Sequence, residues 1–330
     1  MVPRLQSSGP VGRTNLPGVL HRSGRILIAT GAALAITGVL LTTLGRDGVL
    51  ERQDAPPGGL SDLVGDFVGG LSRDQEYQPP SAQQRRIGVR ALIALVEDRQ
   101  SAGGVGEAGL SSLGFTVRDD VDSATGRPFT VVTDEHANAS SGSARSWGMF
   151  VIDRSAPPAL VVGVPHPRSD LRTEELGVDL FRRIPGSIML IAGAHRRAAD
   201  AEADVAHQQN SLFHAFSAAF SGRGLGQVQL HGFDDRSLPG VDIVVSAGAT
   251  RAGGSVRRLA ARLDHDDWVI CRAWEGHCTG LEGRTNVQGK AAAEHGAVFV
   301  HLELSRSIRE DRAARERVLA ALAEAGLAGS

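Results

Sequence analysis

The chain has 330 residues and a formal net charge of −2, and these bulk properties limit its function before any motif is considered. Its 35 Lys and Arg residues are balanced by 37 Asp and Glu residues, and aromatic residues make up only 4% of the sequence. A nucleic-acid-binding protein needs a basic surface or aromatic side chains that stack on bases. Nucleic acid is therefore not an expected partner, and the length allows one large domain or two small ones.

The N-terminal region has the pattern of a membrane anchor. Residues 26–45 (ILIATGAALAITGVLLTTLG) are 20 consecutive residues without a charge, the length that spans a bilayer. Residues 1–25 contain basic residues and no acidic residue. The positive-inside rule then predicts a cytoplasmic basic tail, a single transmembrane helix and an extracytoplasmic main domain. A cleaved signal peptide and a buried helix are the alternatives, and the long apolar stretch favours the anchor.

A tether is predicted to follow the anchor. Residues 46–85 contain APPGG and QPP among scattered charges, a composition typical of linkers, with a short amphipathic helix possible over Leu60–Leu71. A helical period begins at Ile87 (IGVRALIALVEDRQ) and ends before the glycine-rich SAGGVGEAG. The exported domain is accordingly expected over residues 86–330.

The first strands of this domain are predicted to be antiparallel. Apolar and β-branched runs cover Phe115–Arg118, Phe129–Thr133 and Trp147–Ile152, separated by short polar or glycine-containing stretches. Such spacing is typical of hairpins.

Strands and helices alternate after Pro157. The predicted strands are Ala159–Val164, Ser187–Ala192, Gln227–Leu230, Asp242–Ser246, Trp268–Arg272 and Ala297–Leu304. The predicted helices are Thr173–Arg183, Ser211–Phe220, Gly254–Leu263 and Ser307–Ala325. This alternation predicts an α/β fold with a mostly parallel or mixed sheet and helices on both faces.

The two cysteines, Cys271 and Cys278, are separated by RAWEGH. Outside the cytoplasm an even pair at this spacing favours a disulfide, the alternative being two unpaired buried thiols.

Candidate metal ligands follow the first strand of the alternating region. His166 comes directly after ALVVGVP, and Glu174 lies in the first turn of the next helix, which makes a rigid pair. Asp170 and Glu175 compete with Glu174 for the acidic role. Each residue also has an ordinary interpretation, as a loop histidine or as an acid favoured by the helix dipole.

Two later strands bring further candidates to the same edge of the sheet. His231 ends one strand, and Asp234 or Asp235 is a candidate to orient its second nitrogen. Glu303 lies inside the last strand, on the same face as His301, where a carboxylate is rare unless it is paired or functional. The pattern indicates a zinc site with a general base beside it, and an ion pair of Glu303 with a basic residue such as Arg306 is the alternative.

A polar loop, TNVQGK, precedes the last strand. Its residues Asn286, Gln288 and Lys290 are candidates to line a pocket, or the segment is a surface loop with a helix starting at Gln288.

The segments PHPRSDLRTEELGVDLF, LHGF and HLELSR resemble the zinc carboxypeptidase superfamily. The resemblance is to its amidohydrolase branches: succinylglutamate desuccinylase and aspartoacylase, N-formylglutamate amidohydrolase, and phage poly-gamma-glutamate hydrolase. It implies Zn²⁺ bound by His166, Glu174 and His231, with Glu303 as the general base.

The same resemblance implies cationic residues that hold a substrate carboxylate and polarise the scissile carbonyl. Arg196 and Arg197 are the candidates in AHRRAADAEADVAHQQN, where DVAH stands in place of the expected Asp-Leu-Asn-Arg. His207 therefore occupies the position of the family's arginine.

Together these features predict a membrane-anchored, extracytoplasmic zinc amidohydrolase acting on a small peptide or an N-acyl amino acid, with a cell-envelope compound as one option. The alternatives are an anchored envelope protein that keeps the fold and binds peptidoglycan or a partner without catalysis, and a purely structural metal. The sequence makes no prediction of oligomeric state.

Overall fold

The computed structural model describes residues 59–98, 104–134, 145–264 and 267–328. All of the described residues belong to one compact unit, Asp54–Ser330. The predicted basic tail (1–25) and transmembrane helix (26–45) lie outside the described residues. Within the described ranges, no helix has the length and apolar character needed to cross a bilayer.

The described elements alternate as the sequence predicts. The helices are α1 (Leu60–Gly69), α2 (Ala82–Glu97), α3 (Val105–Ser111), α4 (Thr173–Arg183), α5 (Leu212–Ser221), α6 (Gly254–Leu263), α7 (Val287–Glu294), α8 (Arg306–Glu310) and α9 (Arg312–Glu324). The strands are β1 (Phe115–Val121), β2 (Pro128–Asp134), β3 (Met149–Asp153), β4 (Leu160–Val164), β5 (Ser187–Ile191), β6 (Gly226–Phe233), β7 (Ile243–Ser246), β8 (Ile270–Arg272) and β9 (Phe299–Ser305).

In the described part of the chain the strands form one mixed sheet in the order β1-β2-β3-β5-β4-β6-β9-β7-β8. Strands β1, β2 and β3 pair antiparallel in succession, as the hairpin pattern predicts, and β3 also pairs antiparallel with β5. Strands β5, β4, β6 and β9 are parallel to one another, and β7 returns antiparallel to β9. The predicted α/β fold with a mixed sheet is therefore confirmed.

Apolar side chains cover both faces of this sheet. In β4, Val162 points into a core shared with α1, α4, α6 and α9, whereas its neighbour Val161 points into a core shared with α2, α3 and α5. Because central parallel strands are buried on both sides, they read as continuous apolar runs, and this is why the sequence located them.

The folded unit begins earlier than the predicted boundary at residue 86. Leu60, Val64 and Phe67 of α1 are buried in the same core as α4 and α9. The predicted linker over residues 46–85 therefore overlaps the folded unit from Leu60 onward, because the amphipathic stretch packs against the domain.

The disulfide favoured by the sequence is present. Cys271 and Cys278 are bonded, with their Cα atoms 6.0 Å apart, and close a loop after β8. Behind that loop the buried carboxylate of Glu282 accepts a hydrogen bond from the Cys278 backbone N–H at 2.6 Å.

Candidate metal centre

The site lies at the carboxyl ends of three neighbouring strands, β4, β6 and β9. His166 follows β4, His231 lies near the end of β6, and Glu303 lies in β9 directly opposite His231 in the strand register. Binding sites of open α/β sheets form at this edge, where side chains from distant sequence meet. The structure therefore brings together the two histidines and the glutamate that the sequence selected.

The acid that lies with the two histidines is Asp170. Its Oδ2 atom is 3.2 Å from His166 Nδ1 and 3.3 Å from His231 Nδ1. His166, Asp170 and His231 expose only 2%, 6% and 3% of their surface, respectively. One ligand atom from each lies within 4.8 Å of the other two. Two imidazole nitrogens and a carboxylate oxygen are the donor set that Zn²⁺ takes in catalytic sites.

Glu174, the acid preferred from the sequence, lies elsewhere. Asp170 stays close to His166 because its backbone N–H bonds the His166 carbonyl at 2.9 Å, which closes a tight turn. Arg172 then adopts a left-handed conformation (φ 69°), and α4 starts at Thr173. Glu174 consequently lines a cavity between α1 and α4, and the third competing acid, Glu175, is exposed and pairs with Arg172 at 3.0 Å.

Both histidines engage their second ring nitrogen, as metal-binding histidines usually do. His166 Nε2 is 2.8 Å from Asp204 Oδ1, and His231 Nε2 is 3.2 Å from Gln229 Oε1. The predicted role of Asp234 or Asp235 beside His231 is not found. Asp234 pairs with Arg236, and Asp235 accepts from the Ser307 backbone N–H.

The converging groups form a strongly polarised cluster. Burial lowers the pKa of His166, but the charge of Asp170 and the hydrogen bonds to Asp170 and Asp204 outweigh it and raise the pKa to about 9. Burial, with the neighbouring charge of His301, lowers the pKa of His231 to about 4. Burial alone raises the pKa of Asp170, yet the two histidines bring it well below its usual range. Both Nδ1 atoms face the same carboxylate oxygen, a position where a divalent cation would be bound by all three groups.

Arg196 lies beside the histidines. Its Nη2 and Nε atoms donate to Asp204 Oδ2 at 2.7 and 3.1 Å, and its Nη1 is 3.3 Å from His166 Nδ1. The other two cationic candidates lie further out. Arg197 and His207 are exposed, and burial together with the charge of Arg196 lowers the pKa of His207 despite the opposing charge of Asp204.

Glu303 is 8% exposed and sits next to His301, whose Nε2 is 3.3 Å from Glu303 Oε1. The ring of His301 also packs against that of His231, with centroids 4.3 Å apart. The alternative ion pair with Arg306 is not formed, since Arg306 bonds Glu310 at 2.7 Å. A buried carboxylate held by a neighbouring side chain beside a cation site suits a general base.

Arg309 connects the three segments that carry Asp170, His231 and Glu303. Its buried guanidinium donates to the carbonyls of Leu171, Phe233 and Leu304, which follow Asp170, His231 and Glu303 in the chain. A Cβ atom at Gly232 would lie 2.2 Å from Arg309 Nε, so the glycine beside His231 leaves room for this side chain.

The segment between Arg196 and Asp204 contains a left-handed turn. Ala199, Asp200 and Ala201 have φ angles of 48°, 52° and 69°, a conformation that costs residues with a Cβ atom about 1–2 kcal/mol each.

Ala199→Gly is therefore expected to raise the free energy of unfolding by about 0.5–1 kcal/mol after the entropy cost of glycine. Urea denaturation checks this, and the matched control Ala313→Gly, at an exposed helical position of α9, should lower it by about 0.5–1 kcal/mol.

Glu174 should make stability depend on pH. Burial, with the charge of Glu175, raises its pKa from 4.5 to about 7, and its Oε2 has no hydrogen-bond partner among the described residues. The folded state then binds the proton more tightly than the unfolded state, so stability falls as pH rises from 4.5 to about 7 and stays lower above.

Glu174→Gln should remove this loss and stabilise the protein by about 1–2 kcal/mol at pH 8, a value reduced for partial solvent exposure. Urea denaturation from pH 4 to 8 measures it. Glu175→Gln, the exposed neighbour, is the control and should change stability by less than about 1 kcal/mol. Equal pH profiles for the parent and Glu174→Gln would contradict the buried position of Glu174.

Some residues that contact the histidines or their partners were not predicted from the sequence, and others were predicted in a different environment. Asp204 and Gln229 carry no local signal, because their partners are distant in the chain. Asn286 and Gln288, predicted to line a pocket, are 1% and 0% exposed and bond Gln229, whereas Lys290 is exposed. Helix α7 starts at Val287, which agrees with the helical alternative for this segment.

No protein-family model matches this chain, and no curated protein matches it. Among solved structures, a bacteriophage poly-gamma-glutamate hydrolase matches with 13% identity and a TM-score of 0.36, over 71% of this chain and 93% of that one. Zinc-free YndL matches with 14% identity and a TM-score of 0.35, over 57% and 95% of the two chains. The gene product Atu2144 from Agrobacterium tumefaciens matches with 12% identity and a TM-score of 0.37, over 62% and 96%.

The likeness to phage poly-gamma-glutamate hydrolase that the motifs predict is thus found again by structure comparison.

Proposed function

We propose that this protein is a metal-dependent hydrolase of amide bonds, with Zn²⁺ held by His166, Asp170 and His231. The observation that supports it most is the buried His-Asp-His set, in which both Nδ1 atoms face one carboxylate oxygen. Asp170 replaces Glu174 in this proposal because Glu174 faces the cavity beside α1. When bound in such a site, zinc polarises a carbonyl and lowers the pKa of water.

In this proposal, residues of the chain carry out proton transfer, charge stabilisation and substrate binding. Glu303 takes a proton from the attacking water and returns it to the leaving nitrogen as the C–N bond breaks and the C–O bond forms. Arg196 stabilises negative charge that develops on the carbonyl oxygen, and Asp204 fixes both Arg196 and His166. Arg197 and His207, on the exposed side, are the groups available to a substrate carboxylate.

The proposed substrate is a small peptide or an N-acyl amino acid, including cell-envelope compounds. The proposed setting is extracytoplasmic, with residues 26–45 as a single membrane anchor and residues 1–25 in the cytoplasm. The uncharged length of that segment and the arginines before it support this arrangement.

The experiment is a hydrolysis screen with the purified full chain. γ-Glutamyl peptides, N-acetyl and N-formyl amino acids, and peptidoglycan peptides would be offered to the zinc-loaded protein, with and without a chelator. Activity that the chelator abolishes and added zinc restores would support the proposal. Turnover that survives complete metal removal would overturn it.

A further inference from the structure

A buried cluster of three amide side chains lies behind His231. Gln229, Asn286 and Gln288 are 1%, 1% and 0% exposed. Gln229 Nε2 donates to Gln288 Oε1 at 2.9 Å, and Asn286 Nδ2 donates to Gln229 Oε1 at 2.7 Å. Burial of this many polar atoms is costly unless every one has a partner, so the direction of each hydrogen bond matters.

One end of the cluster is fixed by a backbone carbonyl. The carbonyl of Val205 can only accept, and Gln288 Nε2 donates to it at 2.7 Å. The oxygen of the Gln288 amide must then face Gln229, where it accepts from Gln229 Nε2. This leaves the oxygen of Gln229 on the side of His231.

The other end is fixed by a backbone N–H. Gly289 N–H can only donate, and it donates to Asn286 Oδ1 at 2.9 Å. The amino group of Asn286 must then face Gln229, whose oxygen accepts from it. Two independent backbone groups therefore assign the same orientation to the Gln229 amide.

From this orientation we infer that Gln229, Asn286 and Gln288 act as positioning residues that hold the ring of His231 for metal binding through Nδ1. The atom 3.2 Å from His231 Nε2 is an oxygen that can only accept, and the atom 3.3 Å from Nδ1 is a carboxylate oxygen of Asp170, which also accepts. A metal ion held by Nδ1 and Asp170 would take the Nδ1 lone pair, and Nε2 would then keep the ring proton and donate it to Gln229. The inference rests on the proposed metal site and adds the residues that prepare it.

The amide cluster also contacts the segment that carries Asp204, the hydrogen-bond partner of His166. Gln288 bonds the carbonyl of Val205, and the backbone N–H of Val287 bonds the carbonyl of Ala206 at 2.9 Å. Asp204, directly before these residues, holds His166. Gln288 thus joins the segments that orient both histidines, and its loss should weaken metal binding although it lies outside the ligand set.

The test compares zinc affinity in three full-length variants by competition with a chromophoric chelator. Gln288→Met and Gln229→Met should each raise the zinc Kd by about 10–100-fold. Gln227→Met is the matched control, because Gln227 is also a buried glutamine of β6 that bonds Ser217 and Ser221 and not His231. It should change the zinc Kd by less than about threefold, well below the effect expected for loss of a residue that orients a ligand.

A second measurement examines the ring of His231 in the zinc-loaded protein. In the parent, the ¹⁵N spectrum should show His231 protonated at Nε2 and bound to zinc through Nδ1, and in Gln229→Met the Nε2 proton should exchange faster with water. Zinc affinities equal to the parent in Gln288→Met and Gln229→Met, or a parent in which His231 binds zinc through Nε2, would overturn the inference alone. A folded parent that binds no zinc would instead overturn the proposed function. If Gln288→Met does not fold, Gln229→Met and the parent spectrum decide.

Discussion

Glu303→Gln should lower amide hydrolysis by about 10²–10⁴-fold, the usual contribution of general acid–base catalysis, while zinc stays bound. Glu303 lies beside the His-Asp-His set but outside it. The glutamine keeps the size of the side chain, and its oxygen still accepts from His301 Nε2, so packing should be preserved. Only the ability to take a proton from water is removed.

The measurement is kcat/KM of parent and variant on the substrate found by the screen, together with zinc content. Glu310→Gln is the control, because Glu310 is exposed and accepts a hydrogen bond from Arg306 on the surface. That control should keep activity within about twofold, since an exposed pair contributes little. Undiminished activity in Glu303→Gln would remove Glu303 from the mechanism.

Asp170→Asn should raise the zinc Kd by more than the roughly 10–100-fold that changes behind a ligand cost. The carboxylate of Asp170 is the anionic member of the set and lies between the two Nδ1 atoms. An amide of the same size supplies a weaker ligand and no charge. Glu174→Gln, four residues further on, should leave the zinc Kd unchanged because Glu174 lines the cavity beside α1.

Isothermal titration with zinc on the full chain would compare the two variants. If Glu174→Gln loses zinc and Asp170→Asn keeps it, the ligand predicted from sequence is right and the geometry described above is wrong for the metal-bound protein.

The sequence predicted the strands that position the candidate site and the edge of the sheet at which they end. The strands that end near His166, His231 and Glu303 are long apolar runs, and such runs are the strongest local signal for buried strands. Their meeting at one edge followed from the parallel arrangement that alternation implies. The sequence therefore placed the strand-end histidines and Glu303 at one edge of the sheet without any contact information.

The choice of acid could not be made from sequence. Spacing showed that α4 starts near Thr173, but the left-handed Arg172 that turns Glu174 away carries no mark of its own, since it is not a glycine. The hydrogen bond from Asp170 N–H to the His166 carbonyl, which returns Asp170 to the histidine, is likewise a property of the folded turn.

The residues that hydrogen-bond the histidines could not be predicted from the sequence, for a different reason. Asp204 meets His166 across 38 residues, and Gln288 meets Gln229 across 59 residues. Polar side chains with such distant partners look like loop or surface residues in a single sequence. α1 was missed as part of the domain in the same way, because its amphipathic pattern does not say what it packs against.

The most direct test of the metal centre is elemental analysis of the purified full chain beside His166→Ala and His231→Ala. We expect about one zinc per parent chain and its loss in both variants, with far-UV circular dichroism showing that each remains folded. A folded parent that takes up no zinc after reconstitution would contradict the metal centre, and an anchored binding protein would then be the better description.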